Sequence, residues 1–403
     1  MAIIHLGVGV IPTPPGDISG STEQIIYRLT RELSVENTDV HVIDIKGGSQ
    51  QDTMRRDSGA QYHTVPHIPL PHTYQGPFQR ALYFSIILIQ LLSFAALAIF
   101  PLIQLIRKND AVIIHSHNAI TALMSILVKK ISRKNVKTVY TLHSAYGMGR
   151  FSLFNRIVYF AEPPTLKWID HIIVLNPSIG TWVHEQFGRD PTTYTGIPNA
   201  IDLTEIKSFL ARSPDIQPTA SLIICVGVIA KRKNQKTAIE VFANISKDNP
   251  DCRLVLAGRI AEQEYYRSLQ ALVQNYQMNN QIEFKGEMPP NELYKLLSIP
   301  ESVFLFPTTA EMDPIALKEA MGFGLPVVAS RIQPIVDVLG PDQINETLFE
   351  SNDVSGMSKA LNRILNDPNL RTELGQRSTR LIQEMSYGNI AGRTQHLYNE
   401  LMK

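Results

Sequence analysis

Short apolar runs suited to buried strands alternate with helix-patterned stretches along nearly the whole chain, and the alternation happens twice. In the first half strands are predicted near residues 2–8, 40–45, 61–66, 111–115, 136–142, 171–175 and 192–196, with helices near 21–35, 78–107, 118–131, 151–168 and 177–187. In the second half strands near 221–228, 252–257, 281–285, 302–306 and 326–329 alternate with helices near 234–247, 262–277, 290–297 and 314–322, and helices follow after 353. Such a pattern predicts an α/β protein with two parallel sheets, each covered by helices on both faces. Between the halves, Thr204 to Ala220 carries Pro214 and Pro218 and reads as a linker, giving domains 1–203 and 221–385. A chain of 403 residues is long enough to bury two such cores. In sheets of this kind ligands bind outside the carboxyl ends of the strands, so chemistry is sought there.

The passage from Val303 to Pro326 is the most specific of these strand ends. A buried strand runs out at Phe306, a polar loop carries Glu311, and a helix opens with Asp313 as expected N-cap and Pro314 at the first helical position. The amides of Ile315, Ala316 and Leu317 then lack partners within the helix and lie at the positive end of its dipole, which favours a phosphate. Glu311 precedes the helix and Glu319 lies about two turns inside it, so the two carboxylates can meet different parts of one ligand. This suits a sugar nucleotide. Two isolated glutamates on an amphipathic helix would be solvated side chains, but here strand, Pro and Gly-x-Pro are in register with them.

Glu311, seven intervening residues, Glu319, Ala320-Met321 and Gly324-x-Pro326 resemble the signature of glycosyltransferase family 4. The resemblance implies a GT-B fold of two facing Rossmann-like domains with an interdomain cleft. It implies a retaining, metal-independent transferase that uses a nucleotide-sugar donor. It further implies that Glu319 holds the ribose hydroxyls and Glu311 the donor sugar, with the diphosphate at the helix start. The final helix, 386–403, is expected to pack back on the first domain.

Other strand ends carry the same resemblance. The loop from Pro12 through Gly16, Gly20, Ser21 and Glu23 is similar to the family's Gly-Gly-x-Glu loop over the donor phosphates, with Gly20 in register and Ser21 in place of the second Gly. His115-Ser116-His117-Asn118 closes a strand and matches a His-x-His whose second histidine, His117, contacts the donor sugar; Thr141-Leu142-His143 ends the next strand beside the acceptor, where Asn118 also belongs. Pro198-Asn199-Ala200-Ile201-Asp202 resembles the hinge-proximal Pro-Asn-Gly-x-Asp, with Ala200 replacing Gly. Gly227 to Asn234 follows the pattern Gly-Arg-x-x-x-x-Lys-Gly: Lys233 falls on the lysine and Val228 on the arginine, leaving Arg232 or Lys231 to supply the second cation for the pyrophosphate. Histidines at adjacent strand ends also suit a metal-dependent hydrolase, although no Asp or Glu stands beside them to complete a site.

Charge adds a partner. Ten Lys or Arg lie between Ser58 and Ala161 against one acid, Asp110, although the whole chain has a net charge of only +1. Nucleic acid is not expected, because no recognition motif accompanies the charge. The 26 residues from Ala81 to Ile106 carry no charged side chain, a length that as helix would cross a bilayer. Strands on both sides of it belong to one sheet, so it is expected either to be buried in the domain or to dip one face into an anionic membrane while Arg107, Lys108 and the basic cluster at 129–137 hold lipid phosphates. Cys225 and Cys252 sit in apolar strands and read as reduced core residues of a cytoplasmic protein, and the N-terminus reads as a first strand.

The expectation is therefore a retaining hexosyltransferase, peripheral on the inner face of the cell membrane, with a UDP- or GDP-linked donor and a lipid or lipid-linked glycan acceptor, and with no metal or cofactor. His117, Lys233 and Glu311 are the expected catalytic set. Gly20, Arg232, Lys233, Glu311, Ile315, Ala316 and Glu319 are expected at the donor, His143 and Asn118 near the acceptor. The alternatives are a GT-B epimerase acting on a sugar nucleotide and an inactive GT-B membrane adaptor.

Overall fold

The computed structural model describes residues 1–14, 21–36, 39–67, 76–143, 153–212, 221–343 and 346–403. It divides into two compact units, the first formed by Met1–Ala200 with Tyr387–Lys403 and the second by Ile201–Ser386.

Unit 1 is built on a seven-stranded sheet in which every neighbouring pair is parallel: β1 (Ala2–Leu6), β2 (Val40–Ile45), β3 (Gln61–Val65), β4 (Ala111–Ser116), β5 (Asn135–Leu142), β6 (His171–Val174) and β7 (Tyr194–Gly196). Their order, β3-β2-β1-β4-β5-β6-β7, reverses direction between β1 and β4, and a crevice opens outside the sheet at such a switch point. β1, β2 and β6 are buried along their whole length, as expected of strands covered on both faces. The helices are α1 (Ser21–Glu36), α2 (Ser49–Asp57), α3 (Gly76–Lys108), α4 (Ala119–Ile131), α5 (Leu153–Trp168), α6 (Pro177–Phe187) and the C-terminal helix Tyr387–Met402. That last helix buries Tyr387, Ile390, Ala391, Leu397 and Tyr398 in one apolar layer with Ile26, Leu29 and Leu33 of α1.

The apolar segment at 81–106 lies within α3. Phe94, Ala98, Leu102 and Ile106 pack on β1, β2 and β4, whereas Ile89, Leu92, Leu97 and Phe100 are exposed, Phe100 by 70%. The helix is therefore half a core element and half an apolar surface. β3 before it and β4 after it belong to one sheet, which rules out a single crossing of a bilayer by α3. Pro101 sits inside the helix without ending it.

Unit 2 repeats the architecture with six parallel strands: β8 (Leu222–Val226), β9 (Arg253–Ala257), β10 (Ile282–Gly286), β11 (Val303–Phe306), β12 (Val327–Ser330) and β13 (Leu348–Phe349). Their order, β10-β9-β8-β11-β12-β13, reverses between β8 and β11. The helices are α7 (Leu203–Arg212), α8 (Gln235–Ile245), α9 (Gln263–Asn275), α10 (Pro290–Leu297), α11 (Ile315–Gly322), α12 (Gln333–Leu339), α13 (Val354–Asn366) and α14 (Pro368–Ile382). Two apolar layers cover the sheet, one on each face.

Four elements differ from the sequence reading, among them α12, which lies where no helix is expected. Residues 203–212, within the stretch read as a linker, form α7, because Leu203 and Ile206 are spaced to bury one face against Leu317 and Met321. α2 was hidden by its polarity: its one buried side chain is Arg55. β13 is only two residues long, too short to leave a periodic signal.

Candidate functional site

In unit 2 the residues converge where β8 and β11 end. Gly227 follows β8 with a φ of +158°, and Gly258 follows β9 with a φ of +146°; a Cβ on Gly258 would lie 2.1 Å from the carbonyl oxygen of Gly227. Only glycine lets the two strand ends approach this closely. Lys231–Lys233 form a single 3-10 turn, and Asn234 adopts the left-handed conformation (φ 55°) before α8. Asn234 Nδ2 donates to the carbonyls of Pro307 (3.0 Å) and Ser351 (2.8 Å), and the amide of Thr309 donates to the carbonyl of Arg232 (2.8 Å). The basic turn is thus tied to the loop after β11.

This tie brings Lys233 onto Glu311. Their side chains form an ion pair in which Lys233 is 11% and Glu311 8% exposed. Thr308 Oγ1 lies 2.9 Å from Glu311 Oε1, and the Lys233 ammonium stands 5.0 Å above the ring of Phe306. Arg232, more exposed, places Nη1 3.8 Å from Glu311 Oε2. Arg232 thereby brings a second cation to Glu311.

Asp313 does not cap α11. It pairs with Lys318, whose side chain is fully buried, and the N-cap position is Pro314, outside the helix and with no side-chain cap. The physical reason is that a buried ammonium must be paired: desolvation pushes the Lys318 pKa down and Asp313 acts against it. With Asp313 paired to Lys318, the N-cap position falls to Pro314, which has no side-chain cap. The amide of Ile315 is taken by the carbonyl of Asp313 (3.0 Å), which removes it from the expected anion site. Among the described residues the amides of Ala316 and Leu317 have no backbone acceptor. Glu319 is partly buried in the second turn.

In unit 1 the histidines gather at the switch between β1 and β4. His5 of β1 is in register with His115 of β4. His117 lies between two other rings, its Nε2 3.1 Å from His5 Nδ1 and its Nδ1 3.0 Å from His143 Nε2. His115 contacts the Tyr398 hydroxyl of the C-terminal helix through Nδ1 (2.6 Å) and Thr141 Oγ1 through Nε2 (2.7 Å). The same Tyr398 hydroxyl lies 3.3 Å from His5 Nε2. Burial lowers the pKa of His5 to about 3 and of His143 to about 4, and with neighbouring histidines it holds His115 and His117 well below 6.5. All four rings are neutral at pH 7.

His5, His115 and His117 stand close enough to suggest a metal centre, yet each of their ring nitrogens already faces a protein partner. No carboxylate joins them among the described residues. Asn118 has a structural duty: as N-cap of α4 its Oδ1 accepts from the amide of Thr121 (2.9 Å), while Nδ2 donates to the carbonyl of Val8 (3.0 Å). Each end of its amide keeps one further hydrogen-bonding position. Gly20 lies outside the described residues. Glu23, on the first turn of α1, is buried, and burial raises its pKa to about 7; Asp44, at the end of β2, is raised to about 6 by burial despite accepting from the amide of Thr13.

His5 and Tyr398 were missed in the sequence. His5 is a lone polar residue in an apolar strand, and Tyr398 stands 283 residues from the ring it touches. The one usable signal for His5 was that β1 and β4 both carry a histidine near their ends.

Two parallel sheets, each reversing its strand order and each carrying its polar cluster at the reversal, define a two-unit α/β protein of the GT-B type. The fold is shared with sucrose-phosphate synthase from Thermosynechococcus elongatus (TM-score 0.74, 20% identity, 99% of this chain and 98% of that one). It is likewise shared with HepE from Anabaena in complex with UDP-glucose (TM-score 0.69, 15% identity, 99% of this chain and 100% of that one). Residues 22–205 match Glycosyltransferase Family 4 and residues 207–381 match the glycosyl transferases group 1; the chain belongs to this family of glycosyltransferases. Among curated relatives, a phosphatidylinositol N-acetylglucosaminyltransferase component from Arabidopsis thaliana is 22% identical over 309 residues, 75% of this chain and 65% of that protein. The chain thus spans about two thirds of that relative's length.

Proposed function

We propose that the protein transfers a hexosyl group, with retention and without a metal ion, from a nucleotide sugar to a lipid or lipid-linked glycan acceptor at the cytoplasmic face of a membrane. The observation that carries this is the nearly buried Lys233–Glu311 pair, joined by Arg232 and set beside a helix start that no side chain caps. Departure of a nucleoside diphosphate builds negative charge on its phosphates. Lys233, Arg232 and the amides of Ala316 and Leu317 are fixed before that charge appears, so they stabilise the transition state more than the ground state. Glu311 both holds the Lys233 ammonium in place and offers an oxygen to sugar hydroxyls; the family resemblance assigns Glu319 to the ribose and His117 to the transferred sugar. Both nitrogens of His117 face other rings, so a contact with the sugar requires one of those hydrogen bonds to give way. The UDP-glucose held by HepE favours a UDP-linked donor.

For the acceptor, support comes from the surface of unit 1. The exposed Ile89, Leu92 and Phe100 of α3 are joined by Leu127 and Ile131 of the adjoining α4 and by Phe160 and Trp168 of α5, with Ile131 72% and Phe160 73% exposed. Lys130, Arg133 and Lys134 are exposed around Ile131. An apolar patch edged by cations fits an anionic leaflet, and the phosphatidylinositol named in the relative's activity suggests a lipid of that type. The test is transfer from a panel of UDP and GDP sugars to lipid extracts. Labelled sugar in the lipid phase is the expected result. Conversion of the donor without any acceptor would make the protein an epimerase, and no nucleotide binding at all would make it an adaptor.

A further inference from the structure

The contacts of the histidine cluster form one unbranched chain of six groups: His143, His117, His5, Tyr398, His115 and Thr141. Each ring is buried and neutral, so each carries one N–H and one lone pair. A hydrogen bond needs one donor and one acceptor, and a neutral ring that accepts on one side must donate on the other. Choosing the proton at one junction therefore fixes the next within His143–His117–His5. The Tyr398 hydroxyl has one proton and two lone pairs, so it could accept from His5 and His115 together, but its own proton would then have no acceptor in the chain. Two arrangements satisfy all five contacts and also give the Tyr398 proton an acceptor: donation running from His143 Nε2 through to Thr141 Oγ1, or the whole sequence running back. Any other state leaves the buried hydroxyl proton unpaired or sets N–H against N–H or lone pair against lone pair.

Two features make this more than satisfied burial. His143 Nδ1, at one end, has no protein partner among the described residues, and His143 lines a small pocket with Leu175, Asn199, Tyr387 and Ile390. The direction of donation thus decides whether that pocket meets an acceptor or a donor at His143. Tyr398, in contrast, is the one member from outside the strand ends, and its hydroxyl joins the His143–His117–His5 half to the His115–Thr141 half.

We propose that Tyr398 is a positioning residue which, through His5, fixes the tautomers of His117 and His143. The C-terminal helix would then set, at a distance, whether His143 Nδ1 is offered to a ligand as a donor or as an acceptor. Its effect on turnover rests on the transferase reading above; its effect on the tautomers does not.

The experiment is ¹⁵N–¹H correlation spectroscopy of histidine-labelled full-length protein, with Tyr398→Phe and Thr141→Val beside wild type. Wild type is expected to show one neutral tautomer for each of the four rings. In Tyr398→Phe, His117 and His143 should become mixed or inverted, with kcat for transfer down roughly tenfold and KM for the nucleotide sugar within about twofold. Unchanged His117 and His143 tautomers in a folded Tyr398→Phe would overturn the proposal. Should that variant not fold, Thr141→Val reaches the same rings from the other end, and unchanged tautomers there are equally contrary. Shifted tautomers in a protein that turns over no sugar nucleotide would uphold the relay and remove the transferase reading.

Discussion

Both units set their polar groups where the strand order reverses, yet they keep those groups stable inside the protein by opposite means. At its reversal unit 1 holds four histidines neutral and lets each satisfy the next, so that this cluster buries no charge. Unit 2 buries charges and pairs them, Lys233 with Glu311 and Lys318 with Asp313. The difference follows the ligands proposed for each. Sugar hydroxyls need groups able to donate and accept, whereas a diphosphate needs fixed cations and amides. It also means the two units respond differently to pH and to substitution.

The largest effect is expected where charge meets the leaving group. Lys233→Ala should lower turnover by about 10²–10³-fold, and Glu311→Ala by a similar factor, with circular dichroism and melting showing an intact fold. Near-native rates in either variant would remove the catalytic role of the pair. Next comes the structural pair: Asp313→Ala removes the carboxylate paired with the fully buried Lys318 ammonium and should cost about 3–5 kcal/mol in denaturant unfolding. Lys318→Met, which takes the charge away, should cost clearly less. Equal losses would mean that the pair is ordinary packing.

Acid separates the units. His5 and His143 titrate near 3 and 4 when folded but near 6.5 when unfolded, so between those values the unfolded chain binds protons that the native state refuses. Their contribution is complete above pH 6.5 and is lost as pH falls toward about 4, at roughly 1.4 kcal/mol per pH unit for each ring. Glu23 and Asp44, raised to about 7 and about 6, act in the opposite sense and offset part of this, since the native state keeps their protons as pH rises through the unfolded values. The lowered histidines outnumber them. Hydrogen exchange at pH 5 should therefore show unit 1 opening well before unit 2, whose polar cluster rests on ion pairs and not on neutral histidines. Simultaneous opening would contradict the neutral-ring account. The smallest effect is at the surface: Phe100→Asp with Ile131→Asp should weaken sedimentation with phosphatidylinositol vesicles about tenfold and leave soluble-donor binding unchanged. Unaltered sedimentation would clear α3 and α4 of a membrane role.

Much of this was readable beforehand, for reasons that differ between the units. Strand ends announce themselves, because an apolar run that stops at Gly227, Thr308 or His117 marks the edge of the sheet; Lys233, Glu311 and His117 are placed near such ends in the structure as in the sequence. What a sequence does not show is which partner a polar side chain takes in space. Asp313 before Pro314 has the local pattern of a helix cap, but the pairing demanded by Lys318 one turn on outweighs a cap worth about 1 kcal/mol. Asn118 shows the reverse: its place at a strand end reads as a ligand contact, and in space it also serves as the cap of α4. His5 and Tyr398 are joined across nearly the full chain, a contact that no periodicity reveals.

The measurement closest to the centre of this account is a crystal structure of the protein with a UDP-sugar bound. The diphosphate is predicted within hydrogen-bonding reach of the Ala316 and Leu317 amides, with the Lys233 ammonium against it and Glu311 turned toward the sugar. Density for the nucleotide elsewhere, or a Lys233–Glu311 pair left untouched by saturating ligand, would contradict it.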